Sequence, residues 1–199
     1  AAERAETGAE LRFRVRLGEV FETRLGSADR AIEAYRAILE RDPKHDGALL
    51  ALARLHEARG ERADAAVMLE RVLERAEGDE AVVHALRLAD VFAALTDDVG
   101  QRRALERGLA AVRTNPEVRE RLRGVYEKQE AWSDLADLVA EDARAADETP
   151  DRVRLLRQAA EIHQAKRRDP AKAAELLAEA SVLAPQDREL LLSLCDAYS

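Results

Sequence analysis

Cysteine is nearly absent. Cys195 alone excludes an internal disulfide framework and a cysteine-based zinc site, and it is neutral about compartment. Only four of the 32 basic residues are lysine, and asparagine occurs once, at Asn115. Aromatic residues make up 4% of the chain, so any core is built mainly from small and aliphatic side chains. No apolar run approaches the roughly 18 to 20 residues that span a bilayer; the longest is the short Ala48 to Ala53 stretch. No signal peptide is present either. What remains is a background of Ala, Leu, Arg and Glu that favours helix. Hydrophobic residues are 47% and charged residues 36%, with 32 basic and 40 acidic groups interspersed to a net charge of −8. That charge disfavours nucleic acid unless a basic stripe is strongly segregated. The arginine and alanine bias suggests a GC-rich bacterial genome. Beginning at Ala1 and closing on Ser199 within a helical pattern, the chain reads as a piece of something longer. A cytoplasmic location is favoured, with targeting sequences outside such a piece.

Breakers divide the chain at short intervals: Gly26-Ser27, Asp42-Pro43, Gly60, Gly78-Asp79, the Thr96 to Gly100 stretch, Asn115-Pro116, Thr149-Pro150, Asp169-Pro170 and Pro185. Between them apolar residues recur three and four apart, as in Leu49, Leu52 and Leu55, which marks one face of a helix. Asp169 before Pro170 fits an N-cap with proline in the first turn. Asp42, Asn115 and Ala184 precede prolines and end helices. The spacing predicts eleven helices near 9–25, 28–41, 46–59, 62–76, 80–95, 99–114, 117–129, 132–146, 151–167, 170–184 and 187–199.

A repeat underlies them. Phe21, His56, Phe92, Tyr126, His163 and Tyr198 follow one another at 35, 36, 34, 37 and 35 residues, each late in the first helix of a pair. Four residues before this slot stand Leu17-Gly18, Leu52-Ala53, Leu88-Ala89, Leu122-Arg123, Ala159-Ala160 and Leu194-Cys195, in which only Arg123 breaks the rule of a small second member. In the second helix come Ala31, Ala65, Ala104, Leu135 and Ala173. A shift of 142 residues lays Glu19, Ala31, Glu33, Pro43 and Leu52 on Glu161, Ala173, Glu175, Pro185 and Leu194 without a gap. A two-helix unit of this size cannot bury its apolar face alone, so small residues let helices approach and the slot side chain fills the space against the next unit.

This pattern resembles the tetratricopeptide repeat family, whose helix-turn-helix unit carries a Leu-Gly pair, an aromatic three residues on, a turn glycine, a small residue in the second helix and a closing proline. Leu17-Gly18 with Phe21, Ala31, Tyr35 and Pro43 is the clearest match, followed by Leu52-Ala53 with His56, Gly60, Ala65 and Leu69. The resemblance implies an all-α, right-handed superhelical solenoid over residues 1–199. Its repeats are expected at 9–45, 46–79, 80–115, 116–149 and 150–187, with 188–199 as the first helix of a sixth. In the third repeat, Thr96 to Arg103 reads as a lengthened turn.

Neither a nucleophile with a base nor a phosphate-binding glycine loop is visible, and no metal, cofactor or catalytic residue is expected. His56 and His163 occupy the core slot and are read as packing groups. His45 and His84 are read as solvated, Cys195 as a small packing residue aligned with Ala53, and Trp132 as packing over its turn. The Thr96 to Gly100 turn lacks the ligand count that calcium needs.

The resemblance places a ligand groove on the first helices. By register its candidate partner-binding residues are Arg12, Val15, Arg16, Leu50, Arg54, Val83, Leu86, Arg87, Arg121 and Arg157. Such an arginine ladder suits carboxylates of an extended peptide; the alternative is neutralisation along one helix, as Arg16 with Glu19 or Arg87 with Asp90. One Asn, in a loop, does not support the paired-asparagine clamp that part of the family uses for C-terminal carboxylates. The expectation is a non-enzymatic scaffold for a peptide or protein partner. The alternatives are a spacer that self-associates end to end through its terminal helices, or an accessory region of an enzyme.

Overall fold

The computed structural model describes residues 2–197, and side chains from Glu10 onward. Tyr198, the last member of the aromatic slot, lies outside the described residues. The helices are α1 (Ala2–Thr23), α2 (Ala28–Arg41), α3 (Asp46–Ala58), α4 (Arg62–Leu73), α5 (Gly78–Ala94), α6 (Asp98–Ala111), α7 (Pro116–Lys128), α8 (Trp132–Ala145), α9 (Thr149–Glu161), α10 (Pro170–Leu183) and α11 (Arg188–Ala197). Among the described residues there is no strand. The chain forms two compact units, Ala1–Val118 and Arg119–Ser199.

In the first unit, α1/α2, α3/α4 and α5/α6 pack as hairpins, and α2 on α3 and α4 on α5 join one hairpin to the next. The expected small residues lie at the closest approaches. Ala31 and Ala65 are fully buried, and Ala104 nearly so. At Gly18 a Cβ would stand 2.7 Å from the Tyr35 ring, so only glycine lets α1 meet α2 there. Ile32, Tyr35, Ile38, Ala48, Leu52 and Leu55 form the adjoining core, with Val15 and Phe21 packed on its margin. Fully burying one such Leu or Ile is worth about 1.5–3 kcal/mol.

In the second unit, α8, α9, α10 and α11 pack successively. Leu135, Ala159 and Ala173 fill the expected positions. Arg123, which breaks the small-residue rule, is accommodated because its guanidinium reaches Asp142 on α8. Arg119, one turn earlier, joins the same carboxylate and donates to the Leu138 carbonyl at 3.0 Å. A charged residue is thus tolerated beside the hairpin by an ion-paired exit.

Every described hairpin reverses through one backbone device. The carbonyl of the slot residue accepts from the N–H just before the next helix: Phe21 from Ser27 (2.8 Å), His56 from Glu61 (2.9 Å), Phe92 from Asp97 (2.9 Å), Tyr126 from Ala131 (2.8 Å) and His163 from Asp169 (2.9 Å). The intervening residue is left-handed each time, at Gly26, Gly60, Thr96, Glu130 and Arg168. This is a helix C-cap closure. In the first and fifth hairpins one extra residue separates slot and turn. The fifth absorbs it by continuing α9 as a π-helical stretch, Ile162–Arg167. The first absorbs it by a wide backbone bond from Leu25 N–H to the Val20 carbonyl, 3.1 Å.

The turn of the third hairpin is not lengthened, contrary to the sequence expectation. Asp97 caps α6 by accepting from Gly100 N–H at 2.8 Å. Gly100 lies inside that helix, where a Cβ would stand 2.7 Å from the Phe92 ring. The glycine that reads as a loop residue is there to admit the aromatic.

Candidate functional site

The first helices of each unit carry the residues expected to line a groove. In the first unit Arg12 and Arg16 are exposed on α1, whereas Val15 is half-buried against the core. Leu50 on α3 and Leu86 on α5 are half-buried, and Val83 is 61% exposed. Ala51, next to Leu50, is buried because it packs into the α2–α3 core.

Two arginines do not project freely. Arg54 donates through Nε and Nη2 to both oxygens of Glu22 at 3.0 and 2.7 Å. Arg87 grips Glu57 in the same way at 3.1 and 3.0 Å. These bidentate pairs run from α1 to α3 and from α3 to α5, so they tie one repeat to the next. Glu22 also accepts from the Tyr35 hydroxyl at 3.5 Å, and burial followed by the Glu22 carboxylate pushes that phenol up to about 12. A chain from the α2 core through Glu22 to Arg54 therefore connects packing to the exposed face. At Arg54 and Arg87 the neutralising carboxylate comes from the preceding repeat.

In the second unit Arg157 on α9 faces Asp187 and Glu189, each at 3.4 Å, and Arg121 on α7 is half-buried and partnered. Beside Arg157 lies a recess of about 490 Å³ floored by Pro150, Val153 and Ala184.

The other singled-out residues take several roles. His45 is not solvated: its Nδ1 accepts from Ala48 N–H at 3.1 Å and caps α3. His84 is not solvated either. It is 7% exposed, neither ring nitrogen has a hydrogen-bond partner, and Glu80 Oε1 stands 3.6 Å from Nε2, beyond hydrogen-bond reach. It occupies the position eight residues before the slot that other repeats fill with Ala48, Val118 and Leu155. Cys195, expected to pack, is exposed. Trp132 begins α8 with Lys166 Nζ 4.8 Å above its ring, a cation–π contact. His56 and His163 are buried as expected, at 4% and 1% exposure, yet both are polar-bonded. His56 Nδ1 lies 2.5 Å from Glu61 Oε2, and His163 Nδ1 lies 3.0 Å from an Arg167 guanidinium nitrogen. Burial and then Arg167 hold the His163 imidazole below its ordinary 6.5.

Serial helix hairpins with small residues at their contacts and a shared reversal define the class: an all-α solenoid of helix-turn-helix repeats. Residues 23–89 match the family model described as tetratricopeptide repeat. A crystal structure of MamA protein is similar to it with a TM-score of 0.51 and 18% identity, over 92% of this chain and 96% of that one. YrrB, titled a TPR protein with an unusual peptide-binding site, aligns with a TM-score of 0.49 and 17% identity, over 92% and 90%. The comparison with curated proteins finds no match. The fold is one typical of protein–protein interaction scaffolds, and proteins of this repeat class are generally non-catalytic. No described helix is long and apolar enough to cross a membrane.

Proposed function

We propose that the chain is a scaffold whose first-helix face receives a peptide or a partner protein, with the repeats arranged as read from the sequence. The observation that carries this reading is the pinning of α1, α3 and α5 by two bidentate ion pairs, which holds Leu50, Val83 and Leu86 on a preformed surface. Preorganisation lowers the entropic cost of binding. Aliphatic anchors supply affinity, and the paired charges set orientation. Because Arg54 and Arg87 are already satisfied, an acidic segment must exchange with Glu22 or Glu57, and a segment offering apolar side chains fits at lower cost.

The test is selection from a displayed peptide library against the native chain, followed by titration of the selected peptides. Val83→Asp with Leu86→Asp is expected to weaken binding more than Arg54→Ala with Arg87→Ala. Peptides insensitive to both pairs overturn the reading.

A spacer that self-associates is the second reading, supported by the exposure of Val182 (81%) and Leu192 (66%) in the second unit. Light scattering over a wide concentration range separates the two, since a constant monomer mass removes the spacer.

A further inference from the structure

We propose that His56, Glu61 and Asp64 bind a divalent transition-metal ion of the zinc class. The inference is independent of the first-helix groove. One ligand atom from each of the three lies within 4.8 Å of the others. A point about 2.8 Å from all three donors therefore exists, and small rotations of the two exposed carboxylates bring it to the roughly 2.0–2.2 Å of zinc–nitrogen and zinc–oxygen bonds. The imidazole is fixed by burial, so only the flexible members need to move.

Three features separate this cluster from an ordinary surface group. First, Glu61 holds the N-cap position of α4 but makes no side-chain cap bond. Its register equivalents Asp97 and Asp169 do cap their helices, accepting from Gly100 and Lys172 N–H. The Glu61 carboxylate is turned to His56 instead, with Oε2 2.5 Å from Nδ1. Second, a cavity of about 340 Å³ opens where further ligands would enter, with His56 and Asp64 on its wall. Third, the same cavity recurs one repeat later without the chemistry. There Phe92, Gly100 and Ala104 stand 36 positions after His56, Asp64 and Met68. Packing alone is met by phenylalanine at this slot, so the histidine and its carboxylates are not a requirement of the architecture.

The donor set selects the ion. One imidazole nitrogen with two carboxylates suits Zn²⁺, Ni²⁺ or Cu²⁺ better than all-oxygen Mg²⁺ or Ca²⁺ sites. Three protein ligands leave a position for water from the cavity. On binding, Nδ1 would donate its lone pair to the metal with the ring proton held on Nε2. Arg36 and Arg71 also face the cavity, but Arg71 is held by the Pro43 carbonyl at 2.5 Å. Arg59, 4.0 Å from Glu61, is held by Asp29. Glu40 on the same wall adds a further negative charge.

The experiment is calorimetric titration of the whole chain with zinc chloride. The native chain is expected to bind one ion saturably. His56→Phe, which places the Phe92 solution in this slot, is expected to lose at least about tenfold in affinity while its thermal midpoint is kept or raised. Asp64→Asn, at an exposed position that leaves the core untouched, is expected to weaken binding comparably and serves if the first variant fails to fold. Absence of saturable binding by the native chain, or binding as tight by both variants, overturns the proposal.

Discussion

His56 and His163 stand in the same slot of the second and fifth hairpins, both buried, and their surroundings are opposite in sign. The second hairpin surrounds its imidazole with carboxylates, Glu61 at 2.5 Å and Asp64 nearby. The fifth supplies a guanidinium, Arg167, whose N–H donates to Nδ1. In the fifth hairpin burial and then Arg167 hold the imidazole pKa down. One repeat position therefore carries different chemistry according to residues that follow it in the turn and the next helix.

The wider contrast concerns how each unit treats a polar residue at an apolar position. Arg123 pairs with Asp142 through Nη2 while its Nε stays without a hydrogen-bond partner, His163 meets Arg167, and neither ring nitrogen of His84 has a hydrogen bond. The largest expected effect comes from removing a partner. Asp142→Ala leaves Arg119 and Arg123 without their common acceptor and should lower unfolding free energy by about 2–3 kcal/mol, read by urea denaturation. A loss under about 0.5 kcal/mol breaks the claim that Asp142 is what admits Arg123. Next, His84→Leu removes two unsatisfied ring nitrogens and should stabilise the first unit by about 1–2 kcal/mol; a lower thermal midpoint means the imidazole has a partner in solution.

The third test is pH. The folded His163 has its pKa held below 6.5, so the native state takes up a proton less readily than the unfolded chain. Its contribution is present above pH 6.5 and is lost as pH falls below it. His163→Phe should flatten the decline in thermal midpoint between about pH 7 and about pH 5, and an unchanged decline assigns it to other groups. The smallest effect is at the reversal. Thr96→Gly and Glu130→Gly relieve left-handed non-glycine residues and should each add up to about 1 kcal/mol, while Gly60→Ala should lose a similar amount.

Much of this architecture is legible in the sequence because it depends on spacing. The slot, the small residues before it and the alanines of the second helices follow from self-similarity alone, and α2 to α11 fall close to the predicted spans, whereas α1 begins at Ala2 instead of near residue 9. The pairings that determine chemistry are less legible. Glu22 with Arg54 and Glu57 with Arg87 are 32 and 30 residues apart, just short of one repeat, and a search at helical spacings of three and four overlooks them. Glu61 and Asp64 follow His56 across a turn, on another helix, so no motif spacing joins them. Gly100 misleads because the close approach of Phe92 is invisible until both helices are placed.

The slot carbonyl that closes each described hairpin belongs to the main chain. Chain reversal is consequently insensitive to which side chain occupies the slot, and phenylalanine, tyrosine and histidine interchange there without altering the turn bond. An architecture latched in this way uncouples heredity of shape from heredity of chemistry: single substitutions can introduce a titratable or metal-ligating group into the interior of a working array, and later ones can surround it, with the scaffold intact at each step.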